Sequence, residues 1–128
     1  MPTLSNVLAV CLAGAVGTGA RYVIGTWTTE RFGSGFPYGT LTVNLVGCFA
    51  IAWVMQAAIA DQWAPALRMT LTVGLLGGFT TYSSFNFEMI ALMQRAPGLA
   101  AAYFLATVLG GFAAGWLGFI VARQFAGS

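Results

Sequence analysis

The stretch GGFTTYSSFNFE, running from Gly77 to Glu88, decides how this chain is read. Seven of its twelve residues carry a side-chain hydrogen-bonding group, yet the 128-residue chain around it is 59% hydrophobic and 6% charged. The mean hydropathy is +0.83. A soluble domain needs roughly a quarter of its residues charged to cover its surface. Here there are five Arg, two Glu and one Asp, with no Lys and no His. Water is not the main solvent, and a polar double-glycine segment has to be accommodated in lipid.

Working outward from that segment, uncharged runs cover residues 4–20, 40–60, 69–87 and 98–122. A bilayer-spanning helix needs about 20 mostly apolar residues, whereas barrel strands alternate over about 10. The runs do not alternate. They predict an all-α membrane protein in which residues 1–128 form one domain, with four transmembrane helices at about 4–27, 40–60, 68–93 and 98–123. The first run lacks the basic flank and cleavage site of a secretory signal. Gly127-Ser128 reads as an expression remnant without a role.

Composition also excludes function classes. Without His, and with no cluster of Cys, Asp or Glu, no transition-metal site can be built. Hydroxyls are plentiful, but no imidazole or Lys is present to activate one, so the chain is not read as an enzyme. Cys11 and Cys48 fall within predicted spans and read as small packing residues. A net charge of +2, dispersed along the chain, does not suggest a nucleic-acid surface.

Orientation follows the Lys/Arg excess of the short loops. One side offers Arg68 and Arg123; the other offers Arg31 and Arg95, with Arg21 leaning the same way. Such a chain has almost no bias. Asn44, Thr40, Thr42, Gln56, Thr72, Thr80, Thr81, Ser83, Ser84, Asn86, Tyr103 and Thr107 nevertheless lie at or near membrane depth. A polar group facing hydrocarbon costs several kcal/mol. Four short helices have little interior in which to hide so many. Gly111 and Gly115, Ala114 and Gly118, and Gly14, Gly17 and Gly19 mark faces where helices can approach closely. The expectation is a homodimer, and the balanced charge makes an antiparallel pair reasonable.

Gly77–Thr81 falls near the middle of the third predicted helix. Gly77 and Gly78 each lower helix propensity by about 1 kcal/mol, and two β-branched Thr follow. The helix is expected to break there, near the bilayer midplane. Freed carbonyls then need another backbone, a hydrated cavity or a cation; a simple kink is the alternative. Beyond the break Tyr82 and Phe85 share a face. Thr80, Ser83 and Phe87 form a second stripe; Thr81, Ser84 and Glu88 form a third. Carboxylate rings suit cation channels and Arg or Lys often lines anion pores, but neither lies at mid-span. What is available is neutral: the amide N–H of Asn44, hydroxyls and the positive edges of aromatic rings. These favour an anion, and a small one most.

GGFTTYSSFNFE at 77–88, GTLTVNLVG at 39–47 and GARYVIG at 19–25 together resemble the Fluc/CrcB family of fluoride channels, and the similarity covers essentially the whole chain. The resemblance implies an antiparallel, dual-topology homodimer in the bacterial cytoplasmic (inner) membrane, with two narrow pores exporting fluoride passively. It implies that Asn44 is the pore asparagine and that Tyr82 and Phe85 occupy the aromatic box. Thr40, Ser83, Ser84, Tyr103 and Thr107 would line the polar track, Glu88 the carboxylate near it, and Arg21 the pore entrance. Carbonyls of Gly77 and Thr80 from each subunit would hold a structural sodium ion. Two departures stand out: Tyr82 takes a position that usually holds Phe, and Gly111 one that often holds a hydroxyl.

Taken singly, these residues have plainer readings. Asn44 can be interhelical glue, Arg21 a snorkelling anchor, and Glu88 a partner for Arg95. Two other functions are open. A small proton-coupled multidrug exporter would need an acid deep in a span, and the first helix has none. An accessory subunit would not need Asn44 and two hydroxyl stripes.

Overall fold

The structure is a computed structural model that describes residues 1–126; Gly127 and Ser128 lie outside the described residues. Three helices are long and apolar enough to cross a membrane: α1 (Leu4–Phe32), α2 (Tyr38–Ala60) and α6 (Pro97–Ala126). Their ends follow local chemistry. Thr3 caps α1, its hydroxyl accepting the Asn6 N–H at 3.3 Å. Gly33 ends α1 at φ 80°, in the left-handed region that a residue with a side chain rarely adopts. Pro97 opens α6 and Pro65 opens the short helix α3 (Pro65–Met69), each at a position where the missing N–H costs nothing. Helix α1 therefore runs past Trp27, where its apolar run fades, because Thr28–Arg31 are polar but still helical.

The third apolar region is not one continuous helix. After α3, residues Thr70–Leu76 form a π-helical segment, and α4 (Gly77–Phe79) is a single turn. Thr80 and Thr81 are extended, at φ/ψ of −92°/159° and −153°/119°. Helix α5 (Tyr82–Arg95) follows. Three unlike backbone states in succession mean that several carbonyls and amides here lose regular partners, which in lipid must be replaced.

Close approach of backbones sets the packing. Helices α2 and α6 share the most extensive contact. In it Gly111 and Gly115 lie where an added Cβ would stand 3.4 Å from Cys48 Sγ and 3.5 Å from the Cys48 carbonyl oxygen. Helix α1 crosses the π-helical segment and α4 through Gly14 and Gly17. These small-residue faces are thus used inside the chain rather than left free for a second copy; around Gly19 nothing lies within 4 Å.

The interior is small. Tyr103 and Val43 are fully buried, and Phe85, Leu92, Ala100 and Tyr103 form a cluster with Phe36, Leu41 and Met89 packed on it. Outward, α1 and α6 present Leu8, Leu12, Val16, Leu109, Phe112 and Trp116, all more than half exposed. An apolar surface this extensive belongs in lipid or against another subunit. The chain is an all-α membrane protein.

Candidate functional site

The break between α4 and α5 is held by side chains from two other helices. Thr80 turns back on α4, its N–H and Oγ1 both donating to the Leu76 carbonyl at 3.0 and 2.9 Å. Thr81 caps α5, its Oγ1 accepting the Ser84 N–H at 3.2 Å. The backbone of Thr81 is met by Asn44 of α2. The Thr81 N–H donates to Asn44 Oδ1 at 2.8 Å, and Asn44 Nδ2 donates to the Thr81 carbonyl at 3.0 Å. One amide thereby satisfies both polar groups of an extended residue, and its second Nδ2 hydrogen remains for another acceptor.

This arrangement redirects the donors of neighbouring carbonyls. In a continuous helix Gly77 would accept from the Thr81 N–H and Thr80 from the Ser84 N–H. Those donors go to Asn44 Oδ1 and Thr81 Oγ1 instead. The Gly78 carbonyl accepts from Arg21 Nε at 3.1 Å and from Thr18 Oγ1 at 3.4 Å, both on α1. Arg21 is therefore more than a charge at an opening.

Thr81 borders a cavity of about 580 Å³, lined among others by Arg21, Thr40, Ser84, Glu88 and Arg95. Its carboxylate is well supplied with donors: Thr40 Oγ1 donates to Glu88 Oε1 at 2.6 Å and Tyr103 OH to Glu88 Oε2 at 2.9 Å. Arg95 is engaged elsewhere, its Nη2 donating to the carbonyls of Ser34 at 3.4 Å and Gly35 at 2.9 Å. The pairing of Glu88 with Arg95 is replaced by hydroxyl donors from α2 and α6, while Arg95 ties the end of α5 to the α1–α2 link.

Thr81 also borders a second cavity, of about 380 Å³, lined by Asn44, Thr80, Tyr82, Phe85 and Thr107 among others. Phe85 is buried between Tyr103, at a 5.1 Å centroid distance and 67°, and Phe104 at 6.5 Å. Tyr82 stands 6.0 Å from Phe85 but is 79% exposed. Thr107 Oγ1 is buried in this wall without a hydrogen-bond partner. An unpaired buried hydroxyl costs about 1–3 kcal/mol. Thr107→Val is expected to raise the thermal midpoint of the purified protein; a fall would mean that the hydroxyl is paired in the assembled protein.

The structure thus gathers Asn44, Thr40, Ser84, Tyr103, Thr107, Glu88, Phe85 and Arg21 around one broken segment, with Thr81 lining both cavities. Ser83 is exposed beside the pair, 3.4 Å from Thr81 Oγ1. Gly77 is exposed and Thr80 half-buried. Thr18 and the Gly78 carbonyl are participants that sequence reasoning missed. Their signal was Thr18 lying three residues before Arg21 and four after Gly14, on the glycine-bearing face of α1. Among the described residues no group of three His, Cys, Asp or Glu could hold a metal ion. The chemistry on offer is neutral donors, backbone carbonyls, the guanidinium groups of Arg21 and Arg95, and the carboxylates of Glu30 and Glu88, the latter bonded to two hydroxyls.

Comparison with known proteins falls on this same chain length. Residues 8–119 match the family described as CrcB-like protein, Camphor Resistance (CrcB). The fluoride-specific ion channel FluC of Anaeromyxobacter dehalogenans is 47% identical over 126 residues, covering 97% of this chain and 100% of that protein. The proteins of the same name from Geobacter metallireducens and Chloroflexus aurantiacus are 44% and 38% identical, over 93% and 97% of this chain and 98% and 100% of theirs. With its broken segment, its amide clamp and its full-length similarity to these channels, the chain belongs to the CrcB family.

Proposed function

We propose that this chain is a fluoride-selective channel that lets the anion leave the cytoplasm down its gradient. The observation that carries this reading is the Asn44–Thr81 pair, which borders a cavity lined by neutral donors inside a chain whose exterior is apolar. A halide shedding water needs donors, and donors without formal charge bind it weakly enough to release it. Fluoride, the smallest halide, gains most from short contacts. The name borne by the relatives supports the choice of ion.

In this reading Arg21, Thr40, Ser84 and Glu88 line the entrance cavity. The second Nδ2 hydrogen of Asn44, the ring edges of Tyr82 and Phe85, and the hydroxyls of Ser83 and Thr107 receive the ion beyond it. Tyr103 OH, committed to Glu88 at 2.9 Å, serves the path by holding that carboxylate in place. A carboxylate beside an anion path is tolerable when both oxygens already accept hydrogen bonds.

The working unit is taken to be an antiparallel homodimer in the bacterial cytoplasmic membrane, each chain crossing it four times with the break near the midplane. Tyr82, Ser83 and Asn86 are exposed on the single chain, a polar face that hydrocarbon would penalise and a second copy can cover. The near-equal Arg count of the two sides supports opposite insertion of the two copies. Sodium fits the break: it takes oxygen ligands, and the carbonyls of Gly77 and Thr80 lack their helical donors. Two carbonyls do not complete a shell, so a second copy would supply the rest. Bound there, the ion would offset carbonyl charge and tie the subunits together.

Liposomes loaded with fluoride test the proposal. Efflux through purified protein, abolished by removing Na⁺, supports it; proton-driven uptake of ethidium-like cations without fluoride flux would support the multidrug-exporter reading. Phe85→Ile keeps an apolar group in the buried site but removes the ring edges facing Tyr82. Flux is expected to fall about 10-fold, given about 0.5–1.5 kcal/mol per aromatic contact. Unchanged flux would take Phe85 out of the path.

A further inference from the structure

We infer that Arg21 is a positioning residue that fixes the helix break through its Nε, rather than a charge that draws anions to an opening. The inference rests on the channel and sodium reading above for its consequence, but not for its geometry.

The physical problem begins at Gly78. Its carbonyl lies in the last turn of α4, and because Thr80 and Thr81 beyond it are extended, the helix does not continue to supply an amide four residues on. Helix α1 runs against it closely: a Cβ at Gly78 would overlap the Gly14 carbonyl and lie 2.9 Å from Thr18 Oγ1. Only glycine allows that approach, and the approach brings the Gly14–Thr18–Arg21 face of α1 onto the freed carbonyl. Thr18 and Arg21 both donate to it.

The identity of the donating atom matters. Nε is the inner nitrogen of the guanidinium, and it is the one bonded to Gly78 at 3.1 Å. A charge meant for incoming anions would present its outer nitrogens and need no inner contact. Asn44 holds the opposite end of the same break from α2 through Thr81. The two clamps hold Gly78 and Thr81; of the carbonyls proposed as sodium ligands, that of Gly77 immediately precedes the first clamp and that of Thr80 lies between the two. Loosening the Arg21 clamp therefore changes where the proposed sodium ligands sit.

Two conservative substitutions separate the possibilities. Arg21→Gln places an amide N–H at the same point along the side chain as Nε and removes the charge. Arg21→Lys keeps the charge but puts a methylene where Nε was. Hydrogen–deuterium exchange of the 77–88 amides in reconstituted protein reads the break directly, and the Na⁺ concentration for half-maximal fluoride efflux reads its consequence. The expected result is parent-like exchange and Na⁺ requirement for Arg21→Gln. For Arg21→Lys both should rise about 10-fold, as for loss of one charge-assisted hydrogen bond. Lys matching the parent while Gln is impaired, or both matching it, overturns the inference, as does equal impairment of both. Parent protein that passes no fluoride would sink the channel reading, and Na⁺-independent flux would sink the sodium reading. In either case the exchange comparison still decides the role of Arg21.

Discussion

Replacing Asn44 by alanine is expected to lower fluoride flux about 100-fold or more, with the chain still inserted and helical. The substitution removes both bonds to the Thr81 backbone, at 2.8 and 3.0 Å, together with the spare amide hydrogen beside the aromatic pair. Each backbone group left unpaired in an apolar setting costs about 1–3 kcal/mol, and tenfold in rate corresponds to about 1.4 kcal/mol. The unpaired N–H and C=O of Thr81 then seek other partners, and the wall that Thr81 contributes to both cavities is disturbed. Asn44→Asp sharpens the test. It keeps an acceptor for the Thr81 N–H, but opposes a negative oxygen to the Thr81 carbonyl and to the passing anion. Efflux measured with a fluoride electrode at matched protein density, alongside circular dichroism in the same vesicles, gives both readouts. Parent-like flux in Asn44→Ala would reduce Asn44 to glue that the fold can spare.

The second large effect is structural. Gly17→Val should prevent accumulation of folded protein, because any side chain at this site meets backbone. A Cβ there would overlap the Leu75 carbonyl oxygen and stand 2.9 Å from the Phe79 amide nitrogen. Flexible side chains can move aside, but the backbone of a π-helical segment and of α4 cannot do so without dragging the break with it. Overpacking of this kind costs about 3 kcal/mol or more, a large share of the stability of a small domain. Gly19→Val, two residues along the same helix with nothing within 4 Å, is the control for helix propensity and should remain folded within the chain. Size-exclusion profiles and thermal melts in detergent separate the pair; a stable Gly17→Val protein would mean that α1 does not lie where the structure places it.

How much of this was written in the sequence differs by level. Uncharged runs announced helices because hydrocarbon length and backbone hydrogen bonding leave a membrane chain few options, and α1, α2 and α6 occupy three of those runs. Helix ends were less visible. The polar residues Thr28–Arg31 ended the apolar run, while helix continued to the positive φ of Gly33. For the third run, glycines and threonines pointed to weak helix propensity, but the π-helical turns of Thr70–Leu76 have no propensity signature of their own. They arise where α1 presses in through Gly14 and Gly17.

Within the site, residue types were legible and partnerships were not. Asn44, Glu88 and Arg21 stood out as polar groups in apolar surroundings. Which groups they meet depends on helix packing over long separations: Asn44 with Thr81, Arg21 with Gly78, and Glu88 with Thr40 and Tyr103. Spacing put Thr81, Ser84 and Glu88 on one stripe, yet Thr81 and Ser84 are occupied with capping α5, and Glu88 with the neighbouring helices. Gly111, Gly115 and Gly118 of α6 looked equally suited to an interface between subunits, and instead face Cys48 and Phe49 of α2.

The central claim is that uncharged donors buried around the broken segment pass a small dehydrated anion. Its most direct test is the ratio of fluoride to chloride flux through the purified protein in vesicles, measured with ion-selective electrodes under the same gradient. The account predicts rapid loss of fluoride with chloride retained. Equal rates for the two halides, or no fluoride loss at all, would contradict it.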